Sequence, residues 1–420
     1  MNYFEEKICG TINELKQNGS IRQLRQVPDN CINLSSNDYL GLNSRSDKLY
    51  KEFFENILND FSIQQNSASA YASPVSDSHY LLSSTSSRLL TGNYPVYEET
   101  EQMIARLFGK ESALIFGSGY QMNIGILPAI TDSNTLILAD KLVHASIIDG
   151  IRLCSSKCIR YRHQDYKQLA QLIEKNISLY SSIIIVTESI FSMDGDVTNL
   201  NHLVELKKHY NSRSNINTTH CNILLYVDEA HAIGVRGKRG LGLAEEQNCI
   251  EDIDFLCGTL GKAIASTGAY IVCSEKIREF LVNRMRSFIF TTALPPLNIS
   301  WTKFVLGKIE DMQEKREYLD KISRQIIKSI KSMGKDCISE SHIIPFTLGS
   351  NEKAIKASQI LINNGFYVLP IRHPTVPAGT ERLRISLNAS ISETDVERLI
   401  KTLQLVDYKL VDYKLADNNM

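Results

Sequence analysis

The chain has 420 residues, of which 43% are hydrophobic and 22% are charged, and its formal net charge at pH 7 is -1. This length allows a large core divided over two or three folding units, and the composition is that of an ordinary globular enzyme. The near-neutral charge gives no electrostatic basis for binding nucleic acid or an anionic membrane, and no apolar run reaches the roughly 18 to 20 residues of a membrane-spanning helix.

The cysteines and the N-terminus indicate the cellular compartment. The nine cysteines are scattered and odd in number, which is typical of reduced thiols and not of a disulfide framework. No Cys/His cluster has the spacing of a zinc site, so no metal is predicted. The segment Met1–Lys7 lacks the basic region and apolar core of a secretory signal. These observations together predict a cytoplasmic protein.

Helical spacing of apolar side chains predicts a helix at the start of the chain. Ile8, Ile12 and Leu15 carry the spacing, and the helix is expected to end near Asn18-Gly19. Ile32-Asn33-Leu34 then predicts a short strand. Residues 62 to 88 are rich in Ser and Ala, which predicts a long loop.

Strand-like and helix-like segments alternate between about residues 95 and 285. This alternation predicts an α/β fold with a mostly parallel central sheet and helices on both of its faces. The clearest strands are Ala113–Phe116, Thr135–Ala139, Ile183–Thr187, Ile223–Val227 and the beginning of Asp254–Lys262.

The remainder of the chain predicts a smaller C-terminal unit. A helical stretch from Asn298 to about Met333 leads into an α+β segment that contains Gly365–Pro370, and a tandem pentapeptide over residues 406–415 predicts a helix end. We therefore predict an N-terminal helix and strand segment over residues 1–60, a large α/β domain over 61–295 and a C-terminal α+β domain over 296–420.

Two side chains with distinct chemistry follow two successive buried strands. The strand Ile223–Val227 delivers Asp228, and the stretch Asp254–Lys262 runs through a small-residue turn to a lysine. In open α/β sheets both would lie at the carboxyl edge, where pyridoxal phosphate would find an amine for covalent attachment and an acid for its pyridinium nitrogen. A helix N-cap for Asp228 and a solvated surface position for Lys262 remain alternatives, although a carboxylate is costly to bury without a cation.

Other candidates follow the remaining strands. Gly117–Asn123 comes between a strand and a helical pattern, so its backbone N–H groups would approach a phosphate, although many such loops are glycine-rich. His144 is placed either to stack on a pyridine ring or to cap a helix. The Ser192 hydroxyl would reach a phenolic oxygen, or would simply belong to the turn that follows it. His231 is either a ligand contact or an ordinary loop histidine.

Taken together, these motifs resemble those of the α-oxoamine synthases. Members of this family are fold-type I pyridoxal-phosphate enzymes that condense an amino acid with an acyl thioester and release carbon dioxide. The resemblance extends from about residue 5 to 404 and rests on motifs in the family's order: Ser36–Leu42, His144–Ser146, Glu188–Asp196, Asp228–His231, Thr259–Lys262 and Pro374–Arg384. The segment Ile371–Thr380 is most similar to the biotin-pathway branch, which joins L-alanine to a pimeloyl thioester.

The resemblance implies a role for three catalytic residues. Lys262 would bind the cofactor covalently and later remove the α-proton of the amino acid. Asp228 would keep the pyridine nitrogen protonated, so that the ring can accept electrons from the carbanion. His144 would stack on the ring.

The resemblance also implies binding residues and a homodimer whose site lies at the subunit interface. The further residues that would hold the cofactor, its phenolic oxygen or its phosphate are Gly119, Tyr120, Ser192, His231, Thr259, and Thr291 with Thr292 from the partner subunit. The residues that would bind the substrates are Arg384 for the amino-acid carboxylate, in bidentate fashion, and Thr375 with Arg22 for the acyl chain.

Three alternative functions remain at this stage. Sister enzymes such as glycine C-acetyltransferase, serine palmitoyltransferase and 5-aminolevulinate synthase share the chemistry and differ in the amino acid and the acyl chain. A non-catalytic dimeric scaffold is disfavoured by the presence of Asp228, His231 and Lys262. An aminotransferase on the same fold is disfavoured by the Thr375–Arg384 segment. The acyl carrier is either coenzyme A or a carrier protein.

Overall fold

The computed structural model describes residues 2–43, 48–66, 77–216 and 221–417. The strands are β1 (Ile32–Asn33), β2 (Ser112–Phe116), β3 (Thr135–Asp140), β4 (Lys157–Tyr161), β5 (Ser182–Glu188), β6 (Asn222–Asp228), β7 (Phe255–Thr259), β8 (Ala269–Cys273), β9 (Ile343–Thr347), β10 (Phe366–Tyr367), β11 (Pro370–Ile371) and β12 (Arg382–Ser386).

The helices are α1 (Tyr3–Gln17), α2 (Lys48–Asn66), α3 (Pro95–Phe108), α4 (Gly119–Ile130), α5 (Ala145–Arg152), α6 (Tyr166–Asn176), α7 (Leu200–Ile216), α8 (Leu243–Glu246), α9 (Glu275–Arg284), α10 (Arg286–Ile289), α11 (Pro296–Gly307), α12 (Gln313–Ser332), α13 (Asn351–Asn363) and α14 (Glu393–Asp417). Short 3₁₀ turns lie at Asp77–Tyr80, Ile250–Asp252 and Glu310–Met312.

The chain forms two compact units. The larger unit comprises Leu40–Phe191 and Val197–Arg316, and the smaller unit comprises Met1–Tyr39, Ser192–Asp196 and Glu317–Met420. The smaller compact unit thus contains both the N-terminal residues and the C-terminal segment. The division into contiguous domains at residues 60 and 295 stays a prediction.

A seven-stranded sheet in the order β2-β8-β7-β6-β5-β3-β4 forms the centre of the larger unit. All neighbouring pairs from β4 to β7 are parallel, and β8 runs antiparallel to both of its neighbours. Strands of parallel sheets are covered on both faces, which is why β3 is a continuous apolar run that is buried along its whole length. The predicted mostly parallel sheet is confirmed.

The carboxyl ends of the central strands meet at one edge of this sheet. β5 and β6 pair from Ser182↔Asn222 to Glu188↔Asp228, so the two strands end side by side and each ends in a carboxylate. β7 lies on the other side of β6 and ends at Thr259. Open α/β sheets bind their ligands at this edge.

The smaller unit contains an antiparallel sheet in the order β11-β12-β9 and a parallel pair formed by β1 and β10. Helix α13 packs against α14 and against β10 and β11. The central strand β12 is buried over all of its residues, two of which are arginines. The predicted α+β character of the C-terminal segment is confirmed.

Helix α1 begins and ends where the sequence predicts. Asn2 caps it by accepting a hydrogen bond from the Glu5 N–H at 3.0 Å, while the Glu5 carboxylate accepts from the Asn2 N–H at 3.1 Å. The chain leaves the helix at Gly19, whose φ is 61°. Helix α1 buries none of its residues. Its apolar stripe, defined as Ile8, Ile12 and Leu15, is 37 to 43% exposed.

Two local predictions need correction. The loop expected from residue 62 begins later, because apolar residues continue at helical spacing and extend α2 to Asn66, with Phe53 and Ile57 buried. The part of that loop over residues 67–76 lies outside the described residues. The helical stretch expected from Asn298 to Met333 is two helices, since α11 ends at Gly307 and a 3₁₀ turn precedes α12.

The C-terminal repeat is helical, as predicted: α14 includes it and continues to Asp417. Among the described residues, no helix combines the length and the apolar character needed to cross a membrane.

Candidate functional site

Lys262 and His231 meet beside the end of β7 in the larger unit. The Lys262 Nζ lies 2.9 Å from His231 Nε2, and His231 is buried. Thr259, the last residue of β7, donates from Oγ1 to the Ala230 carbonyl at 3.3 Å, which ties the two loops together. Two residues that the sequence proposed separately therefore form one contact.

Asp228 is buried at the end of β6, and neutral donors hold both of its oxygens. Asn123 Nδ2 donates to Oδ2 at 3.0 Å, and the Ala230 N–H donates to Oδ1 at 2.9 Å. The Tyr226 hydroxyl donates to Asn123 Oδ1 at 2.5 Å, which fixes the orientation of the Asn123 amide. Residues 230–235 are in turns, so Asp228 does not cap a helix.

His144 caps α5 and is connected to Asp228 through two buried side chains. Its Nδ1 accepts from the Ser146 N–H at 3.2 Å and lies 2.8 Å from Ser146 Oγ. Asn123 Nδ2 donates to that hydroxyl at 2.9 Å. Burial lowers the pKa of His144, and the nearby Lys262 lowers it further while Asp228 opposes both. The helix-capping alternative is thus observed, and the stacking on a cofactor ring stays a prediction.

The start of α4 is the helix N-terminus at which the sequence predicts a phosphate to bind. Ser118 caps this helix, and its hydroxyl accepts from the Gln121 N–H at 3.1 Å. A Cβ added to Gly119 would lie 2.6 Å from Thr259 Cγ2, so glycine allows the close approach of α4 to β7. Helix N-termini with such exposed N–H groups bind anions. Tyr120 is half-exposed, and its hydroxyl donates to Asp149 Oδ2 at 2.9 Å.

Thr291 and Thr292 follow α10 in the same unit. Gln121 Nε2 donates to the Thr291 hydroxyl at 3.4 Å, so Thr291 lies beside the first turn of its own α4. Thr292 is exposed. Their predicted contact with the phosphate of a partner subunit stays a prediction.

Arg384 is buried on β12 in the smaller unit. Its Nε donates to the Ser192 carbonyl, and its Nη1 donates to Asn37 Oδ1 at 3.2 Å and to the Ser386 hydroxyl. The Tyr39 hydroxyl also donates to Asn37 Oδ1, at 3.0 Å. Burial raises the pKa of Tyr39 to about 12 despite the opposing charge of Arg384.

Arg22 and Thr375 also meet in the smaller unit, although 353 positions separate them in the sequence. Arg22 Nη2 donates to Thr375 Oγ1 at 3.2 Å. Both residues line a cavity of about 270 Å³, together with Arg25 and Arg372. Burial lowers the pKa of Arg372, and the positive charges of Arg25 and Arg22 lower it further. The positive charges of these arginines therefore favour an anionic ligand in the cavity.

Some residues of these clusters carried no role in the sequence analysis, namely Asn37, Asn123, Ser146, Glu188 and Glu229. Each of them lies within or directly beside a motif that the sequence identified. The motif did not show which side chain faces which partner, because that depends on strand register and on the approach of α4.

Glu229 provides a prediction about stability. It is completely buried, and its two carboxylate oxygens accept from the Leu243 N–H at 3.0 Å and the Ala244 N–H at 2.7 Å. Burial raises the pKa of Glu229 from 4.5 to about 7, against these two hydrogen bonds. Folding therefore binds a proton between pH 4.5 and 7, so this residue contributes stability at low pH that is lost as the pH rises through about 7.

We expect this loss to appear as a difference between the wild type and Glu229→Gln, which does not titrate. Between pH 4.5 and about 7, the free energy of unfolding of the wild type should fall by about 1.4 kcal/mol per pH unit relative to that of Glu229→Gln. Above that range the difference between the two proteins should stay constant. Urea midpoints at a series of pH values measure it. Glu279→Gln, at an exposed position of α9, is the control and should show no such trend. A constant difference for Glu229→Gln would contradict the assignment.

Known proteins are similar to this chain over most of its length. A family model described as aminotransferase class I and II matches residues 29–403. A putative 8-amino-7-oxononanoate synthase of Glaesserella parasuis is 48% identical over 403 residues, which is 93% of this chain and 98% of the relative. The 8-amino-7-oxononanoate synthase of Haemophilus ducreyi is 47% identical over 414 residues, 96% of this chain and 100% of the relative.

Two solved structures are similar over nearly the whole chain. Serine palmitoyltransferase of Sphingomonas wittichii has a TM-score of 0.80 and 26% identity, covering 97% of this chain and 98% of its own. The 8-amino-7-oxononanoate synthase of Francisella tularensis has a TM-score of 0.72 and 26% identity, covering 92% of this chain and 100% of its own.

Proposed function

Because this chain belongs to the aminotransferase class I and II family and to its α-oxoamine synthase branch, we propose that it condenses L-alanine with a pimeloyl thioester to give 8-amino-7-oxononanoate in biotin synthesis. The resemblance predicted from the motifs is confirmed, as is the fold-type I architecture. The observation that carries the proposal is the near-complete alignment with 8-amino-7-oxononanoate synthases at 47 to 48% identity.

The larger unit fits pyridoxal phosphate, the cofactor of this family. Asp228 offers a buried carboxylate that accepts from Asn123 and from the Ala230 N–H, Lys262 offers an amine, and α4 offers a helix N-terminus that Gly119 allows to lie close to β7. When bound, the cofactor supplies an aldehyde that links covalently to amino groups and a ring that accepts the electron pair released at Cα.

Within this unit, Lys262 would hold the cofactor through its amine, and the same amine would accept the proton from the alanine Cα. His231, 2.9 Å from the Lys262 Nζ, positions that amine. Asp228 keeps a proton on the ring nitrogen, because a buried carboxylate favours a cation beside it. His144 places its ring against the cofactor while Nδ1 stays bound to the start of α5.

The other proposed cofactor residues act at the phosphate and at the phenolic oxygen. Gly119, Tyr120 and Thr259 bind the phosphate end, since they lie at the start of α4 and at the end of β7. His231 addresses the phenolic oxygen, and the family resemblance assigns Ser192 the same role.

In the smaller unit, Arg384 binds the alanine carboxylate through charge-assisted hydrogen bonds. Arg22 and Thr375 bind the acyl substrate, and the positive cavity that they line suits the carboxylate of a pimeloyl chain. In the overall reaction, a bond forms between the alanine Cα and the acyl carbonyl carbon. The thiol leaves, the alanine carboxylate leaves as carbon dioxide, and a proton returns to Cα.

We further propose a cytoplasmic homodimer. The apolar stripe of α1 is exposed in the single chain, which suits burial against a second subunit. Thr291 and Thr292 would then contact the phosphate bound by the partner. No disulfide joins any of the described cysteines, which suits a reducing compartment. Sedimentation of the purified protein measures the assembly.

A product assay tests the function. L-alanine, glycine and L-serine are each paired with pimeloyl, acetyl, succinyl and palmitoyl thioesters, carried either by coenzyme A or by an acyl carrier protein. We expect the highest kcat/KM for L-alanine with pimeloyl thioester. The gap between alanine and glycine should be modest, since one methyl group is worth about 1 to 3 kcal/mol in a pocket. Equal or better turnover of glycine with acetyl-coenzyme A would assign the sister activity instead.

The acyl preference should depend on Arg22. In Arg22→Ala, the ratio of kcat/KM for pimeloyl over acetyl thioester should fall, because the chain carboxylate loses a charge-assisted hydrogen bond worth about 1.5 to 3 kcal/mol. Arg324→Ala, at an exposed position of α12, is the control and should keep the ratio. An unchanged ratio in Arg22→Ala would remove this residue from the acyl site.

A further inference from the structure

The most unusual electrostatic feature of the larger unit is a pair of adjacent buried carboxylates. Glu188 and Asp228 are register partners at the ends of the parallel strands β5 and β6, so both side chains leave the same face of the sheet. Glu188 is 2% exposed and Asp228 is 4% exposed. Two negative charges at adjacent positions of neighbouring strands, away from water, repel each other strongly.

The hydrogen bonds distinguish the two members of this pair. Asp228 accepts from Asn123 and from the Ala230 N–H, one donor for each oxygen. The Oε1 of Glu188 is buried and has no hydrogen-bond partner among the described residues. A buried charged oxygen without a donor is far more costly than a neutral one. The geometry therefore puts the negative charge on Asp228.

Glu188 also contacts the element that holds His144. The backbone N–H of His144 favours the ionised form of Glu188, so Glu188 lies close to the His144 loop as well as to Asp228. The ionisable groups that face it are Asp228 on β6, Asp140 on β3, and Lys262. Burial raises the pKa of Glu188 well above its ordinary value, the charges of Asp228 and Asp140 raise it further, and Lys262 with the His144 N–H opposes them.

We propose that Glu188 is a positioning residue that works as a neutral, protonated acid, so that the Glu188–Asp228 pair carries one negative charge and that charge lies on Asp228. The neutral acid lies beside both the His144 loop and Asp228 without competing for the cation that Asp228 would hold. The protonation of Glu188 is a property of the chain alone. Its consequence for the ring nitrogen rests on the proposed function.

Infrared spectroscopy of the cofactor-free protein tests the protonation directly. The side-chain carboxyl of glutamate is labelled with ¹³C in a Glu229→Gln background, which removes the carboxyl whose pKa burial raises to about 7, and spectra are recorded near neutral pH. We expect a carboxylic acid carbonyl band that shifts with the label and is lost when Glu188→Gln is added. Glu279→Gln, at an exposed position of α9, is the control and should keep the band when it is added instead.

Two infrared results would overturn the proposal: no band that responds to the label, or a band that persists in Glu188→Gln. The labelled Glu229→Gln protein decides the first of these even if the variant with Glu188→Gln added does not fold.

The pH titration of the bound cofactor's absorbance tests the consequence. Glutamine imitates a neutral glutamic acid, so Glu188→Gln should keep the wild-type midpoint. If Glu188 were ionised, Glu188→Gln would remove a negative charge beside Asp228 and lower the midpoint by about 1 to 3 pH units. A midpoint lowered in this way would refute the proposal. Absence of any cofactor absorbance in the wild type would instead refute the proposed function, and would leave the infrared result standing.

Discussion

Lys262→Ala should abolish covalent attachment of pyridoxal phosphate while leaving a folded protein that still binds the cofactor noncovalently. Lys262 is half-buried and its Nζ lies 2.9 Å from His231 Nε2, so its removal takes away an amine and little apolar packing. Borohydride reduction followed by peptide mapping measures the attachment. Turnover should fall by about 10²- to 10⁴-fold or more, because the variant also loses the base that removes the α-proton.

A matched lysine separates this effect from a general loss of positive charge. Lys276 lies on α9 in the same unit and is exposed, so Lys276→Ala should keep both the reducible attachment and the turnover of the wild type. If borohydride still labels a lysine stoichiometrically in Lys262→Ala, another residue carries the cofactor and the assignment is wrong.

The sheet and its functional edge could be predicted from sequence because parallel strands buried on both faces are continuous apolar runs. β3, β5 and β6 were identified in this way, and Asp228 was found as the polar residue that ends one of them. The extent of α2 was missed, since the Ser- and Ala-rich composition that follows it obscured a helical spacing set by a few buried side chains.

The hydrogen-bond partners of the site residues could not be predicted, because they are distant in the sequence. Asn123 and Asp228 are separated by 105 positions, and Arg384 and Asn37 by 347. Such contacts depend on how α4 approaches the sheet and on how β12 is placed, which no local pattern encodes. The adjacency of Glu188 and Asp228 depends on the register of β5 and β6, and a shift of one residue would separate their side chains to opposite faces.

The charge of Asp228 should matter more than its hydrogen bonds, and Asp228→Asn tests this. The substitution keeps the shape and removes the negative charge that favours a protonated ring nitrogen. Exchange of the alanine α-proton with solvent deuterium should then slow by about 10²-fold or more, since the loss of a preorganised electrostatic contact commonly costs that much. Nuclear magnetic resonance of alanine with the cofactor-loaded variant measures this exchange.

Asp228→Asn also disturbs the hydrogen bonds, so a second variant must isolate the charge. Both partners of Asp228 are N–H donors, and an asparagine amide can accept from only one of them, which should cost about 1 to 3 kcal/mol of stability. Asn123→Ala removes one of the same hydrogen bonds and keeps the carboxylate, so it should slow the exchange much less than Asp228→Asn. If the two variants slow it equally, Asp228 acts by positioning alone, and near-normal exchange in Asp228→Asn would end its role at the ring nitrogen.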